Sequence, residues 1–250
     1  MDKMTFRIHE YKEFRRKDTI AVIGFPSVGL ASSIAANFLA RTLELEIIGG
    51  ISSEDFPPYT VIQSGIPLPP VRMYAGDRKC EECGDGMSCD GLIVVTSEFM
   101  PKIEQHHQLA VAFLDWFEKN NVGTVICLEG IPQFEPEVTQ ILGVGSTAEA
   151  NAIMDKYSIE RLEDSLVRGT SGVMLYEGAM RKMNVLAILA PARADMPDPR
   201  GAAKLMEPLG RMLPELKIDP EPLYKEAEEA EKRMGVQHMG NIKNKDILYG

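Results

Sequence analysis

Three cysteines, Cys80, Cys83 and Cys89, lie close together in one polar segment of the chain. The C-x2-C pair with a third thiol could give zinc three thiolates, yet a structural zinc site takes four ligands and no second pair of that spacing follows. Free or transiently oxidised thiols, a stable disulfide and a weak metal site all stay open, and we predict no metal. Cys127 lies apart in an apolar run, so we expect it in a buried strand.

The stretch Asp18–Leu39 predicts a strand, a tight turn and a helix, because an apolar run leads through a Gly/Pro/Ser turn into an alanine-rich segment. The turn places Gly24, Ser27 and Gly29 where a helix N-terminus could offer backbone N–H groups to an anion. Its spacing matches neither the dinucleotide nor the P-loop pattern, and Pro26 removes a donor. Two interpretations stay open: an anion or ligand turn, and the favoured one, in which the glycines serve turn geometry and close helix packing.

Glu129 directly follows an apolar run, at the position where α/β enzymes carry catalytic side chains. A single carboxylate without a visible partner favours a loop-fixing role, and we predict no catalytic residue. His106 and His107 are adjacent, so on a helix they diverge by about 100° and do not both face one metal ion.

The final residues place apolar side chains and a tyrosine beside a carboxylate, in the sequence Ile247-Leu248-Tyr249-Gly250. This composition is typical of a docking peptide, whose ring fills a pocket while its carboxylate meets a basic group. We expect residues 235–250 to form a flexible tail, because glycines and asparagines interrupt the segment and no apolar period continues. Leu248, Tyr249 and Gly250 are therefore predicted to bind a partner.

The composition limits the classes of protein to which the chain could belong. Its 250 residues are 44% hydrophobic with a mean hydropathy of -0.12, which suits a soluble globular domain. No apolar run reaches the roughly 20 residues of a membrane span, and the charged N-terminus lacks the apolar core of a signal peptide, so we expect a cytoplasmic protein. A net charge of -10 provides no basic footprint for nucleic acid or for an anionic membrane.

The order of elements predicts a single domain over residues 1–234. Apolar strands alternate with amphipathic helices, as in a three-layer α/β/α fold with a mostly parallel, mixed sheet. Residues 76–91 are predicted to be an insertion that carries the cysteines at the tip of a hairpin. The helical period places Ile103, Tyr176 and Met180 on inward faces. Helices are predicted over residues 101–120, 147–156, 169–183, 199–213 and 221–234.

Both the body and the tail resemble a known family. The segments IAVIGFPSVGLASSIAANFLA, ISSEDFPPYTVIQSG and VICLEGIP resemble the archaeal branch of the proteasome assembly chaperone 2 family, over most of residues 19–213. The terminal Leu248-Tyr249-Gly250 is similar to the hydrophobic-tyrosine-any (HbYX) motif by which proteasome activators and some chaperones of that family dock on the proteasome.

The resemblance implies a nucleoside-phosphorylase-like three-layer fold, a homo-oligomer and no enzymatic activity, and we predict no cofactor. It implies docking on the 20S proteasome α-ring, where Tyr249 would enter a pocket between α subunits and the Gly250 carboxylate would pair with a lysine. The chain would then act as an assembly chaperone or an activator. The alternative is a small-molecule enzyme that binds a nucleoside, a nucleotide or phosphate at the Gly24–Gly29 turn and Glu129.

Overall fold

The computed structural model describes residues 6–79, 90–133 and 140–246, with side chains described as far as Arg233 in the last helix and Lys79 described by its backbone alone. Cys80, Cys83 and Cys89 lie outside these residues, as do Leu248, Tyr249 and Gly250.

Strands and helices alternate along most of the chain. The strands are β1 Arg7–Glu10, β2 Thr19–Gly24, β3 Glu46–Ser52, β4 Val61–Gln63, β5 Ile66–Leu68, β6 Val71–Lys79, β7 Asp90–Ser97, β8 Val122–Pro132, β9 Leu142–Gly145, β10 Glu160–Arg161 and β11 Asn184–Ala192. The helices are α1 Ala31–Thr42, α2 Ile103–Lys119, α3 Ala148–Lys156, α4 Gly169–Arg181, α5 Pro199–Met212 and α6 Glu221–Asp246, with 3-10 turns at Val28–Leu30 and Pro214–Leu216.

Within the described residues, nine strands form one sheet in the order β1-β3-β6-β7-β2-β8-β11-β9-β10. The central strands β7, β2, β8 and β11 are parallel, while β6 and β9 pair antiparallel with them on either side. The predicted mixed sheet with a parallel centre is thus confirmed. We term the edge at which the parallel strands end the carboxyl edge, and the opposite one the amino edge. The strand order reverses beside β2, and open α/β sheets bind ligands at the carboxyl edge of such a point.

Helices cover both faces of the sheet, which confirms the predicted three layers. Helices α1, α3, α5 and α6 bury apolar side chains on one face, and α2 and α4 bury theirs on the other. Successive residues of β2 supply the two cores in turn, since Val22 packs into the first and Ile23 into the second. Uniformly apolar central strands are the consequence of burial on both faces.

Two helices begin at side-chain caps. Thr147, which the sequence predicts as the cap of α3, accepts a hydrogen bond from the backbone N–H of Ala150 at 3.0 Å. Asp198 caps α5 by accepting from the N–H of Arg200 at 3.1 Å, and its second oxygen accepts from the N–H of Arg193 at 2.8 Å. Asp198 therefore fixes both the start of α5 and the loop that leads to it from β11.

The last helix is longer than predicted. The sequence places its end at Met234 and a flexible tail from residue 235, whereas α6 continues to Asp246. The two glycines of this segment cost about 1 kcal/mol each in a helix, but no proline removes a backbone donor there. The structure therefore places residues 235–246 in a helix where the sequence predicts no regular structure, and the flexibility of the tail stays a prediction.

Helix α6 runs antiparallel to α5 and returns to the carboxyl edge. The Tyr224 hydroxyl donates to Glu207 in the second half of α5, and Glu231 pairs with Arg200 at the start of α5 at 3.0 Å. From Glu231 the helix continues to Asp246, which corresponds to about 22 Å at 1.5 Å per residue. The end of α6 therefore extends past the carboxyl edge.

Three side chains predicted to face inward are exposed. Ile103, Tyr176 and Met180 are 89%, 46% and 67% exposed. Helix α4 buries Met174 and Gly178 instead, and Gly178 packs so closely that an added Cβ would lie 2.5 Å from Val185 Cγ2.

Among the helices of the described residues, none combines the length and the apolar composition of a membrane span.

Candidate functional site

The turn after β2 lies at the carboxyl edge and is tied to the end of β8 by the Ser27 hydroxyl. The N–H of Gly130 donates to Ser27 Oγ at 2.9 Å. Ser32 Oγ donates to the Phe25 carbonyl at 2.6 Å and also hydrogen-bonds Ser27 Oγ, so Ser27 is the donor between the two hydroxyls. The structure thus brings Ser27 beside the residue that follows Glu129, and it engages this hydroxyl in contacts within the protein.

The two glycines of the turn are positions of close backbone approach. A Cβ at Gly24 would lie 2.2 Å from the Ser32 carbonyl oxygen and 2.5 Å from Ala36 Cβ. Gly29 has φ +62°, and a Cβ there would lie 2.5 Å from the Arg193 carbonyl oxygen. The Gly29 carbonyl accepts the N–H of Asp198 at 2.7 Å. These contacts are what the packing interpretation of the glycines requires, while an anion at the turn stays a prediction.

Glu129 lies near the end of β8, on the face covered by α2 and α4. The residue keeps some contact with solvent, but its carboxyl group is surrounded by protein and accepts a hydrogen bond from the Ser171 hydroxyl. Burial raises the pKa of Glu129 from 4.5 to about 7, against the opposing effect of the Ser171 hydrogen bond. Ser171 stands in the first turn of α4, so Glu129 joins a strand end to a helix start.

Two further titratable groups surround this pair. His106 Nδ1 hydrogen-bonds Thr170 Oγ1 at 2.9 Å, and burial lowers the pKa of His106. Burial, with the neighbouring Glu129 carboxyl, raises the pKa of the Cys127 thiol to about 12, which keeps the thiol protonated. Within the described contacts His106 bonds Thr170 and Ser171 bonds Glu129, so the serine–histidine hydrogen bond of nucleophilic catalysis does not form here.

An ion pair between the buried Arg72 and the exposed Glu98, at the end of β7, is absent from the sequence predictions. Arg72 is 2% exposed, and both terminal nitrogens of its guanidinium donate to the carboxylate of Glu98. Its Nε donates to the Tyr74 hydroxyl at 2.9 Å, and that hydroxyl donates to Gln63 at 2.6 Å. The network therefore anchors the β4–β5 hairpin to the sheet. One feature of the sequence could have indicated this ion pair. It is the presence of an arginine, Arg72, in a strand that also carries the apolar Met73 and Ala75.

A shallow groove of about 390 Å³ lies at the carboxyl edge, between the turn after β2 and the loop before α5. Leu30 and Met100 line it on one side, and Met196 and Pro197 line it on the other. Asp195 is the charged residue in the lining and pairs with Arg193 at 3.0 Å, while most of the other lining residues are apolar.

Metal binding is tested for part of the chain. Among the described residues, no three His, Cys, Asp or Glu side chains are grouped as metal ligands would be. Cys80, Cys83 and Cys89 lie outside these residues, so their metal and redox alternatives stay open. The predicted partner-binding residues at 248–250 also lie outside them.

Comparison with known proteins identifies the family. A protein-family model described as the PAC2 family matches residues 21–238. The chain belongs to the PAC2 family. The resemblance inferred from the sequence is thereby confirmed for the body of the chain, and the PAC2 match includes Ser27, Glu129, Arg72 and the lining of the groove.

Individual PAC2 relatives match over nearly the whole chain. An uncharacterized protein of Methanocaldococcus jannaschii, MJ0106, is 28% identical over 242 residues, which cover 96% of this chain and 94% of that protein. The crystal structure of Pyrococcus furiosus PbaA, described as an archaeal homolog of proteasome-assembly chaperone, has a TM-score of 0.81 at 28% identity and covers 96% of this chain and 95% of PbaA.

A second Pyrococcus furiosus structure shares the fold at lower identity. PbaB, described as an archaeal proteasome activator, has a TM-score of 0.77 at 20% identity over 93% of this chain and 98% of PbaB. These likenesses cover more than nine-tenths of each chain. The predicted likeness to nucleoside phosphorylases stays a prediction.

Proposed function

We propose that this PAC2 protein is a proteasome assembly chaperone or activator that docks on the 20S α-ring through Leu248, Tyr249 and Gly250. The observation that carries the proposal is the match to PbaA, a homolog of proteasome-assembly chaperone, at 28% identity over 96% of this chain. The fold shared with PbaB, a proteasome activator, supports it. The proposed partner is a ring of α subunits, and the proposed compartment is the cytoplasm.

The course of α6 supports docking through the end of the chain. The helix is fixed to the body by buried Leu223 and Ala227 and by the pair between Glu231 and Arg200. Beyond that pair it extends about 22 Å past the carboxyl edge. A terminal peptide carried on such an arm can enter a pocket of a large partner before the bodies of the two proteins collide.

Self-association belongs to the same proposal. One terminal motif of three residues buries little surface, so a single contact with the ring would be weak. A homo-oligomer presents several motifs to a ring with several pockets, and each bound motif raises the effective concentration of the others. Avidity can then exceed the single affinity by roughly 10²–10⁴.

A role without catalysis agrees with the contacts around the predicted ligand turn. Ser27 is engaged by Gly130 and Ser32, and the Cys127 thiol is protonated at neutral pH. Glu129 and Ser171 bond each other across the junction of β8 and α4, which is a structural use of both groups. We propose that these residues stabilise the fold and that binding, not turnover, is the activity.

Co-purification with α-ring subunits tests the proposal. We expect the full chain to retain the α-ring, and the variants Tyr249→Ala and Δ248–250 to lose at least about tenfold in apparent affinity. The first variant removes the aromatic side chain that would fill the pocket, and the second also displaces the terminal carboxylate. The matched control is Tyr11→Ala, which removes a tyrosine that is 54% exposed next to β1.

Folding and mass are measured on the same samples, by thermal unfolding and native mass measurement. The Tyr249→Ala protein should unfold at the same temperature as the unaltered chain and keep its oligomeric mass. Equal retention of the ring by the full chain, Tyr249→Ala and Δ248–250 would contradict docking through these residues.

A further inference from the structure

Exposed apolar side chains are concentrated at the carboxyl edge. Six of the large apolar side chains that the described residues expose lie in three of the connections that leave this edge or in the helix turn that follows one of them. The turn after β2 carries Leu30, the connection from β7 to α2 carries Met100, and Ile103 is the first residue of α2. The remaining three lie between β3 and β6, namely Tyr59, Ile62 and Ile66.

These connections touch one another. The rings of Phe56 and Phe99 are 4.6 Å apart, and Gln105 Nε2 donates to the Asp55 carbonyl at 3.1 Å, which joins the β3–β6 and β7–α2 connections. The groove joins Leu30 to Met100. The six side chains, hereafter the carboxyl-edge surface, therefore form one region.

The backbone conformation of Leu30 indicates that its exposed side chain has a role other than stabilising the fold. Leu30 has φ 51° and ψ 18°, the left-handed region that a leucine rarely occupies because its Cβ is crowded there. The side chain gains little burial in return, since it is 42% exposed. Asparagine or glycine suits this conformation better, so folding alone does not explain an apolar residue here.

The opposite edge of the sheet has another character. A cavity of about 520 Å³ at the amino edge is lined by charged side chains, among them Lys12, Arg16, Glu46 and Arg78. Those charges are paired with one another, as in the contact of Arg78 with Glu215 at 2.6 Å. Exposed apolar side chains such as Tyr11 and Met180 also occur elsewhere, but six of the large ones are gathered at the carboxyl edge.

We propose that the carboxyl-edge surface is the interface between copies of this chain. The exposed parts of its six residues amount to about 700 Å², near the ~800 Å² that each partner buries in a standard interface. Electrostatics favours the same occupant. Each copy carries a net charge of -10, so two copies repel wherever acidic surfaces meet, whereas the groove lining contains one charged side chain, Asp195, whose carboxylate is paired with Arg193.

This inference rests on the self-association included in the proposed function and names its surface. It also separates the two binding tasks of the chain. The carboxyl-edge surface would hold copies together, and the end of α6, which leaves the body at the same edge, would remain available for the ring.

The test combines Leu30→Asn with Ile103→Gln. Asparagine tolerates the left-handed backbone, and Ile103 is 89% exposed in the first turn of α2, so neither change removes core packing. The matched control is Met180→Gln, which removes an exposed apolar side chain, 67% accessible, from the far end of α4. Sedimentation across a dilution series gives the mass, and thermal unfolding is followed on each protein.

We expect the double variant to dissociate at a concentration at least about tenfold higher than the unaltered chain, and the Met180→Gln protein to behave as the unaltered chain. Leu30→Asn alone should keep or raise the unfolding midpoint of the dissociated chain. An unaltered chain that is monomeric throughout, or a double variant of unchanged association, overturns the inference.

Ring retention by the same variants distinguishes the other outcomes. The double variant could keep its oligomeric mass and yet lose the binding to the ring that the Tyr249→Ala protein retains. The surface would then belong to a partner protein, and the inference is overturned. If the variant dissociates while no protein of the set binds the ring, the interface stands and docking on the proteasome fails.

Discussion

Replacing Glu129 with glutamine should change the pH dependence of stability in a defined direction. The folded-state pKa of about 7 lies above the ordinary 4.5, because the carboxyl is buried beside Cys127 with one hydrogen bond from Ser171. Between these two values the folded carboxyl binds a proton that the unfolded one has released. Stability from this group is therefore complete below about pH 4.5 and is lost as pH rises through about 7.

The size of the effect follows from the difference between the two pKa values. At 1.36 kcal/mol per pKa unit, a rise from 4.5 to about 7 corresponds to a cost of about 3 kcal/mol at pH values above the window. Glutamine resembles the protonated carboxyl, accepts the Ser171 hydrogen bond and does not ionise. Glu129→Gln should therefore stabilise the chain by about 3 kcal/mol at about pH 8 and by little at about pH 4.5.

Thermal or urea unfolding at both pH values measures this difference. For a domain of this size, about 3 kcal/mol corresponds to roughly 6–12 °C in the unfolding midpoint. Glu163→Gln, at an exposed position, removes one carboxyl charge from the surface and serves as the control. A Glu129→Gln difference that is equal at the two pH values, or larger at the lower one, would refute the assignment of Glu129 as a carboxyl that burial keeps protonated.

Further substitutions test the packing of the first helix and the ion pair between Arg72 and Glu98. Gly24→Ala should destabilise the chain by at least about 2 kcal/mol, because its Cβ would lie 2.2 Å from the Ser32 carbonyl oxygen. The control is Gly210→Ala in α5, whose Cβ would lie 3.5 Å from its nearest neighbour, the Ile218 carbonyl oxygen. It should be neutral or stabilise the chain by up to about 1 kcal/mol. Urea unfolding distinguishes them, and equal effects would contradict the close approach of α1 to β2. Glu98→Ala should cost about 1–3 kcal/mol, because it removes the carboxylate partner of the buried Arg72 guanidinium while water and the Tyr74 hydroxyl still reach that group, and Glu98→Ala/Arg72→Met should recover part of that loss in the same assay.

The sequence predicts the layers well because they depend on local pattern. In α2 the helical period identifies Ala110, Phe113, Leu114 and Phe117, all fully buried. The same reasoning fails for Ile103, because the first residue of α2 lies at the carboxyl edge of the sheet, where its side chain is 89% exposed.

Helix α4 shows a second physical limit of such patterns. Hydropathy favours burial of Tyr176 and Met180, yet the helix contacts β11 through Gly178, where Val185 leaves no room for a Cβ. A helix face that packs through a glycine contributes little to the hydrophobic periodicity of the sequence. The periodicity therefore indicates the wrong face of α4 as the buried one.

The site is predictable only in part. The position of Glu129 at a strand end and the packing role of Gly24 follow from neighbours in the sequence. The hydrogen bond from Ser171 spans 42 residues and the Arg72–Glu98 pair spans 26, and such partners depend on the order of strands in the sheet. The extension of α6 to Asp246 was missed because glycine lowers helix propensity without forbidding a helix.

The antiparallel pairing of β6 with β7 has a practical consequence for measuring these interactions. Lys79 and Asp90 are paired at the amino edge, so the segment between them leaves and rejoins the body there. The eight residues of β7 separate that point from the carboxyl edge by about 25 Å. A molecule immobilised through a label in residues 80–89 would present Leu30, Met100 and the arm of α6 to the solution, which makes this segment the natural attachment point for surface-based binding assays.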